Sequence, residues 1–354
     1  MMAADLPLSE PDRRPDPAGP AAPAAPVPQR RQGGARARDL ALMGGLLALF
    51  LAGLTGLAAA TGWQETLAWV ARLGAVQVAA LLALSLANYL LRGLRWHLFA
   101  RRLGLPCTLG QNLRHFLGGF AMVVTPGRVG ELIRMRWIGR ETGWSFARSA
   151  PLVLADRASD LAAMALILGL ALAFAATGIA GALPVALLAL AAAVIATRPA
   201  LLVWLAGGAY GLLRRFPRAF ARARAAARSM DRFSHGPVLA AALALGMAGW
   251  LAEGWAFHLL LLWMGAEIGP ARAIAIFVFA TLAGGLTGAP GGVGGAEAAM
   301  IALLTLDGVP IEAAVAATAV IRLTTLWFAL LIGLAVFPLA ERASLKGPHA
   351  VEDR

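Results

Sequence analysis

The chain has 354 residues, of which 59% are hydrophobic and only 14% charged, whereas a soluble domain carries nearer a quarter charged. That balance excludes an ordinary soluble globular protein, and the single cysteine, Cys107, excludes an internal disulfide. The net charge of +12 could suit nucleic acid, but the arginines stand in short segments between apolar runs. They mark membrane topology, and no nucleic-acid partner is expected.

In chain order, residues 1–39 are rich in Pro, Ala and Arg without hydrophobic periodicity, which predicts a disordered tail. Residues 40–60 form the first apolar run. Ala58, Ala59 and Ala60 resemble a cleavage region, but the run is long and its leader extended, so an uncleaved span is expected. Further spans are expected at 75–99, 149–176, 182–197, 237–264 and 312–337, since about 20 apolar residues cross a bilayer core. Residues 198–232 alternate apolar residues with arginines and suit a basic amphipathic helix on the membrane surface. Two shorter segments, 109–124 and 271–289, end at Pro/Gly breaks.

Those breaks are one phrase written twice. Thr125-Pro126-Gly127-Arg128-Val129-Gly130-Glu131 returns as Ala289-Pro290-Gly291-Gly292-Val293-Gly294-Gly295-Ala296-Glu297. About twenty-five residues beyond each stands an arginine in an apolar run, Arg157 and Arg322. Matched breaks in two hydrophobic halves point to a transporter's substrate site. Pro126 and Pro290 remove a helix donor, the glycines allow a tight turn, and the freed N–H groups can seat an anion. Arginine adds bidentate recognition of phosphate or carboxylate. The plainer account is that these breaks are interfacial loops with glycines that favour close helix packing.

Positive charge clusters in the tail, in 92–102, 128–148, 198–232 and 342–346, and the remaining connections carry little of it. The positive-inside rule then places both termini in the cytoplasm. That arrangement requires each broken segment to dip in and return to its own side. The expected fold is therefore all-α and polytopic, with about six full spans plus two re-entrant helical hairpins arranged as an inverted repeat. Its halves cover about 75–176 and 237–338, linked by 182–236, with a short tail at 339–354. An arrangement in which every apolar run crosses once is the alternative.

Buried charge is the other signal. Asp156, Arg157 and Asp160 lie in an apolar span, with the two acids at i, i+4 spacing, and Arg322 sits about a third of the way along the last span. An unpaired charge at a helix centre costs about 2.5–3.5 kcal/mol on insertion scales, so such groups pair and face inward. Glu131 is expected to pair with Arg157 or Arg322, and Glu297 with the other. Arg92, Arg95 and Trp96 either meet a headgroup at the inner surface or serve as interfacial anchors. The five histidines are scattered without metal-ligand spacing, and Gly291–Gly295 is no phosphate loop. No cofactor, metal or catalytic residue is expected, although Glu131, Asp156 and Glu297 could serve as acid/base groups in a membrane enzyme.

Together, Arg92-x-x-Arg95-Trp96, Pro126-x-Arg128-x-Gly130-Glu131-x-x-Arg134, Asp156-Arg157-x-x-Asp160, Pro290-Gly291-Gly292-x-Gly294-x-x-Glu297 and the late Arg322 resemble the lysylphosphatidylglycerol synthase transmembrane family, also called flippase-like membrane proteins. The resemblance covers about 40–338 and implies handling of membrane lipids. Where members often carry Glu and an aromatic residue, this chain has Asp156 and Ile321. The synthases add a soluble aminoacyltransferase domain, whereas this chain ends about sixteen residues after its last expected span, so no enzyme activity is expected. The expected partners are membrane lipids with a phosphate-bearing headgroup, in a cytoplasmic (inner) membrane. The expected substrate contacts are Arg128, Arg134 and Gly127 from the inner side and Pro290–Gly294 with Arg322 from the outer side. The alternative is a non-catalytic membrane subunit of a lipid-, hopanoid- or glycolipid-modifying pathway, in contact with a lipid-modifying enzyme.

Overall fold

Capping chemistry marks some of the helix boundaries. The computed structural model describes residues 63–123, 125, 132–174, 179, 182–198, 230–233 and 235–349, with a few single positions besides. The helices are α1 (Trp63–Val70), α2 (Ala75–Leu103), α3 (Leu109–Gly118), α4 (Ile133–Thr142), α5 (Phe146–Phe174), α6 (Ala182–Thr197), α7 (Gly236–Trp263), α8 (Pro270–Leu286), α9 (Gly295–Leu306) and α10 (Ile311–Leu345). Thr108 and Gln111 form a reciprocal capping box at the start of α3. Arg101 and Arg102 complement the carbonyl end of α2, and Pro270 occupies the first turn of α8. Four helices, α2, α5, α7 and α10, are long and apolar enough to cross a membrane, and no strand occurs among the described residues. The protein is a polytopic α-helical membrane protein.

The expected tail at 1–39, nearly all of the first span at 40–60, the motif at 126–131 and most of 198–232 lie outside the described residues. The last helix corrects an expected boundary: it runs past residue 337 and through Pro338 to Leu345. One lost donor does not end it, because Glu341, one turn on, is held by α4. Glu341 accepts from Arg136 at 2.8 Å, Trp137 Nε1 at 2.7 Å and Arg140 at 3.0 Å.

Side-chain contacts show which helix ends meet. Arg232 donates to the Leu103 carbonyl at 3.0 Å, and Arg114 meets Glu141 at 2.6 Å. With the Glu341 contacts, these gather the ends of α2, α4 and α10 and the starts of α3 and α7. At the opposite end, Arg72 donates to the Met264 carbonyl at 2.8 Å. There the Arg272 guanidinium grips both oxygens of Asp307 at 2.6 Å. These join the end of α7, the start of α8 and the end of α9. Helix α10, with 35 residues and thus about 52 Å long, separates the two ends. The α3–α4 pair therefore has both feet at one end of the bundle, and the α8–α9 pair has both feet at the other.

The first pair leans on α10 at Gly333, where a Cβ would collide with the backbone of Phe120 and Ala121. Gly333→Val is expected to cost about 1–3 kcal/mol through overpacking. Unchanged thermal unfolding in detergent would refute that contact. Two apolar cores fill the bundle, one around Leu81, Ala163, Trp250 and Ile321, the other around Trp96, Phe116, Ala155 and Ala329. On α5, Asp156 and Asp160 fall between positions belonging to the two cores, as Arg322 does on α10.

Candidate functional site

The charged layer is built from α2, α5 and α7. On α2, Arg92 donates to Asp160 at 2.7 Å, and Arg95 Nη2 to Asp156 at 2.6 Å and Asp160 at 2.7 Å. Trp250 Nε1 on α7 donates to Asp160 at 3.1 Å. Arg95 is fully buried, and α7 makes room for it with glycine: a Cβ at Gly246 would stand 2.8 Å from its Nη1. Buried polar groups at this depth must be paired, and two acids on one helical face pair two arginines from another. Arg157 lies 3.7 Å from Asp156 and 3.8 Å from Asp160, turned toward a cavity.

The second Pro/Gly phrase forms an elbow between α8 and α9. Gly291, Gly292 and Gly294 have φ of 61°, 69° and 88°, which only glycine adopts comfortably. At Gly284 a Cβ would approach Ala296 Cβ to 2.7 Å, so the two arms of the hairpin touch. The Gly294 N–H donates to Glu297 Oε2 at 2.7 Å. Arg322 straps the elbow, donating from Nε to Glu297 Oε1 at 2.6 Å and from Nη2 to the Gly291 carbonyl at 2.9 Å. Glu297 thus takes Arg322, one of the two pairings expected from sequence; Glu131 lies outside the described residues.

Immediately after Arg322 the helix widens into a π turn, Leu323–Trp327. The Tyr89 hydroxyl donates to the Thr325 carbonyl at 2.5 Å, satisfying a group within that turn. Such turns occur often at functional sites.

The two networks meet at one cavity of about 320 Å³. Its wall brings together Arg157, Asp160, Arg322, Trp250, Gly291 and Gly292. Arg157 is eleven residues past Phe146 and Arg322 eleven past Ile311, so each stands about 16 Å along a helix that starts from the opposite end of the bundle. The lining holds two guanidinium groups, each in contact with a carboxylate, Arg157 beside Asp160 and Arg322 on Glu297, and such groups can also meet an anion.

Not every expected contact residue reaches this cavity. Arg92, Arg95 and Trp96 are buried away from any surface, with their charges held by Asp156 and Asp160. Arg134 is 1% exposed, its guanidinium 4.6 Å from the Phe116 ring and 5.3 Å from Trp96. It braces the first hairpin through cation–π contacts. Pro126, Gly127, Arg128, Gly130 and Glu131 lie outside the described residues. Sequence reasoning missed Trp250 and Tyr89. Trp250 was findable, since Gly246, Trp250 and Glu253 share one face of α7 with the buried Phe257. Trp255, on the other side of that helix, is exposed. Cys107, in the turn before α3, is buried and its thiol is pushed up to about 12, chiefly by desolvation, which keeps it unreactive at neutral pH. Among the described residues no cluster could hold a metal ion.

A family model described as "Lysylphosphatidylglycerol synthase TM region" matches residues 40–333. No curated protein matches the chain.

Proposed function

This chain belongs to the lysylphosphatidylglycerol synthase transmembrane family, and from that premise we propose that it moves a phosphate-bearing lipid headgroup across the cytoplasmic membrane without covalent chemistry. The observation that carries this reading is the cavity where Arg157 and Arg322, on helices that start from opposite ends of the bundle, meet the glycine elbow. Each arginine stands about 16 Å from the end at which its own helix starts, a depth that lies inside a hydrocarbon core of about 30 Å.

The end bearing Arg101, Arg102, Arg114, Arg136, Arg140, Arg148, Arg232, Arg342 and Lys346 faces the cytoplasm in this reading, because basic residues are retained there. The opposite end carries only Arg72 and Arg272 among described cations, beside Glu267, Asp307 and Glu312. Both hairpins are then re-entrant, the halves at about 75–176 and 237–338 form an inverted repeat, and both termini lie on the cytoplasmic face. Arg128 and the Gly127 backbone receive the headgroup from the inner leaflet, Arg157 and Arg322 hold it midway, and the Pro290–Gly294 elbow releases it outward. Rocking of one half against the other alternates access. The membrane potential favours outward passage of a singly anionic head by about 2.3 kcal/mol per 100 mV.

The test is reconstitution. Vesicles containing the protein and a fluorescent, headgroup-labelled anionic phospholipid are treated with an impermeant quencher. Fluorescence of the inner-leaflet pool is expected to fall much faster than in protein-free vesicles. Equal rates in the two preparations would end the proposal.

A further inference from the structure

The cavity lining mixes two chemistries: Arg157, Asp160, Arg322 and elbow backbone are polar, and Met164, Leu188 and Leu286 are apolar. Leu188 on α6 and Leu286 on α8 line the cavity, yet they are 55% and 62% exposed, so they form its rim. The depth of that rim follows from the helices. Helix α6 starts at the same end of the bundle as α8, because α5 runs to that end before the chain turns back. Leu188 lies six residues past Ala182, about 9 Å along, and Leu286 sixteen residues past Pro270, about 24 Å along.

Both depths fall within a hydrocarbon core of about 30 Å measured from that end. The mouth therefore opens sideways onto acyl chains. A water-soluble phosphate would have to cross hydrocarbon to use it, whereas an amphiphile meets no such barrier. The segment from Gly285 to Gly288 is exposed beside the same rim. Irregular backbone at membrane depth requires polar company, and phosphodiester oxygens supply acceptors.

Resting on the translocation reading, we propose that its anionic lipid enters laterally, from the bilayer, through the gap between α6 and α8. Its head reaches Arg157 and Arg322 while its chains stay in the bilayer across Leu188 and Leu286. Asp160 is engaged by Arg92, Arg95 and Trp250, and Arg322 holds Glu297 and the Gly291 carbonyl. In this arrangement the two guanidinium groups meet the anion while keeping those partners, and the rim leucines select for chains.

The experiment uses the full-length protein in phosphatidylcholine vesicles with a trace of an anionic phospholipid carrying a photoreactive acyl chain. After illumination, adducts are mapped by mass spectrometry, and headgroup flipping is measured in parallel. Labelling is expected to concentrate on peptides containing Leu188 and Leu286, to fall with excess unlabelled lipid, and to persist with excess glycerol 3-phosphate. Leu188→Trp and Leu286→Trp should narrow the mouth and lower both labelling and flipping about tenfold, the factor of a 1.4 kcal/mol loss. Leu170→Trp, on a half-exposed site outside the cavity, should change neither. Labelling spread evenly over the outer helices, or displaced by glycerol 3-phosphate, would overturn the lateral entry. If wild-type flipping persists in that case, the translocation reading stands while the entry route falls. Saturable rim labelling without any flipping would keep the lipid site and remove the translocation.

Discussion

Asp160→Ala is expected to destabilise the protein by about 3–5 kcal/mol, the cost of stripping a buried charge pair of one partner. Asp160 accepts from Arg92, Arg95 and Trp250 at 2.7, 2.7 and 3.1 Å. Its loss leaves Arg92, almost wholly buried, without its carboxylate, while Arg95 keeps Asp156 at 2.6 Å. Asp160→Asn should cost less, because its amide oxygen still accepts while the counter-charge is gone. Thermal unfolding in detergent, followed by tryptophan fluorescence, gives the order wild type, Asn, Ala. A wild-type transition for Asp160→Ala would show that the layer carries no stability.

Arg322→Ala is the second large effect, and it separates folding from transport. Glu297 would lose its counter-charge and keep only the Gly294 N–H, and the Gly291 carbonyl would lose its donor. The expected cost is again about 3–5 kcal/mol, with flipping reduced to the protein-free rate. Removing both partners in Arg322→Ala/Glu297→Ala should restore much of the stability, since no orphaned charge remains, without restoring flipping. Arg322→Lys is the finer probe. One ammonium on a flexible stem cannot reproduce the two contacts that Nε and Nη2 make in a fixed fork. Folding should survive better than in the alanine variant while flipping stays low. Full flipping by either single variant would remove Arg322 from the substrate path.

Helix positions were readable where composition changes sharply. Residues 182–197 form the expected helix from end to end, since an unbroken apolar run has clear limits. The elbow was legible because glycine and proline act locally, and the Arg322 partner could be narrowed to two candidates because buried charge must pair. Arg92 and Arg95 were harder. Their acids lie 61 to 68 residues away, and arginine near a span end is usually an interfacial anchor. Only the continuation of α2 to Leu103 puts them well inside the bundle. The return helices α4 and α9 were not delineated, because ten- and twelve-residue arms after a glycine turn lack the length that marks a span. The π turn leaves no compositional trace at all.

The matched depths of Arg157 and Arg322, eleven residues from opposite starts, bear on how voltage would act on the proposed cycle. An ion resting halfway has crossed half the electrical drop, so entry and exit each carry about 1.2 kcal/mol per 100 mV for one charge. Neither half-step holds the whole field dependence. Polarising the membrane should therefore shift loading and unloading alike, giving a shallow, nearly symmetric current–voltage relation.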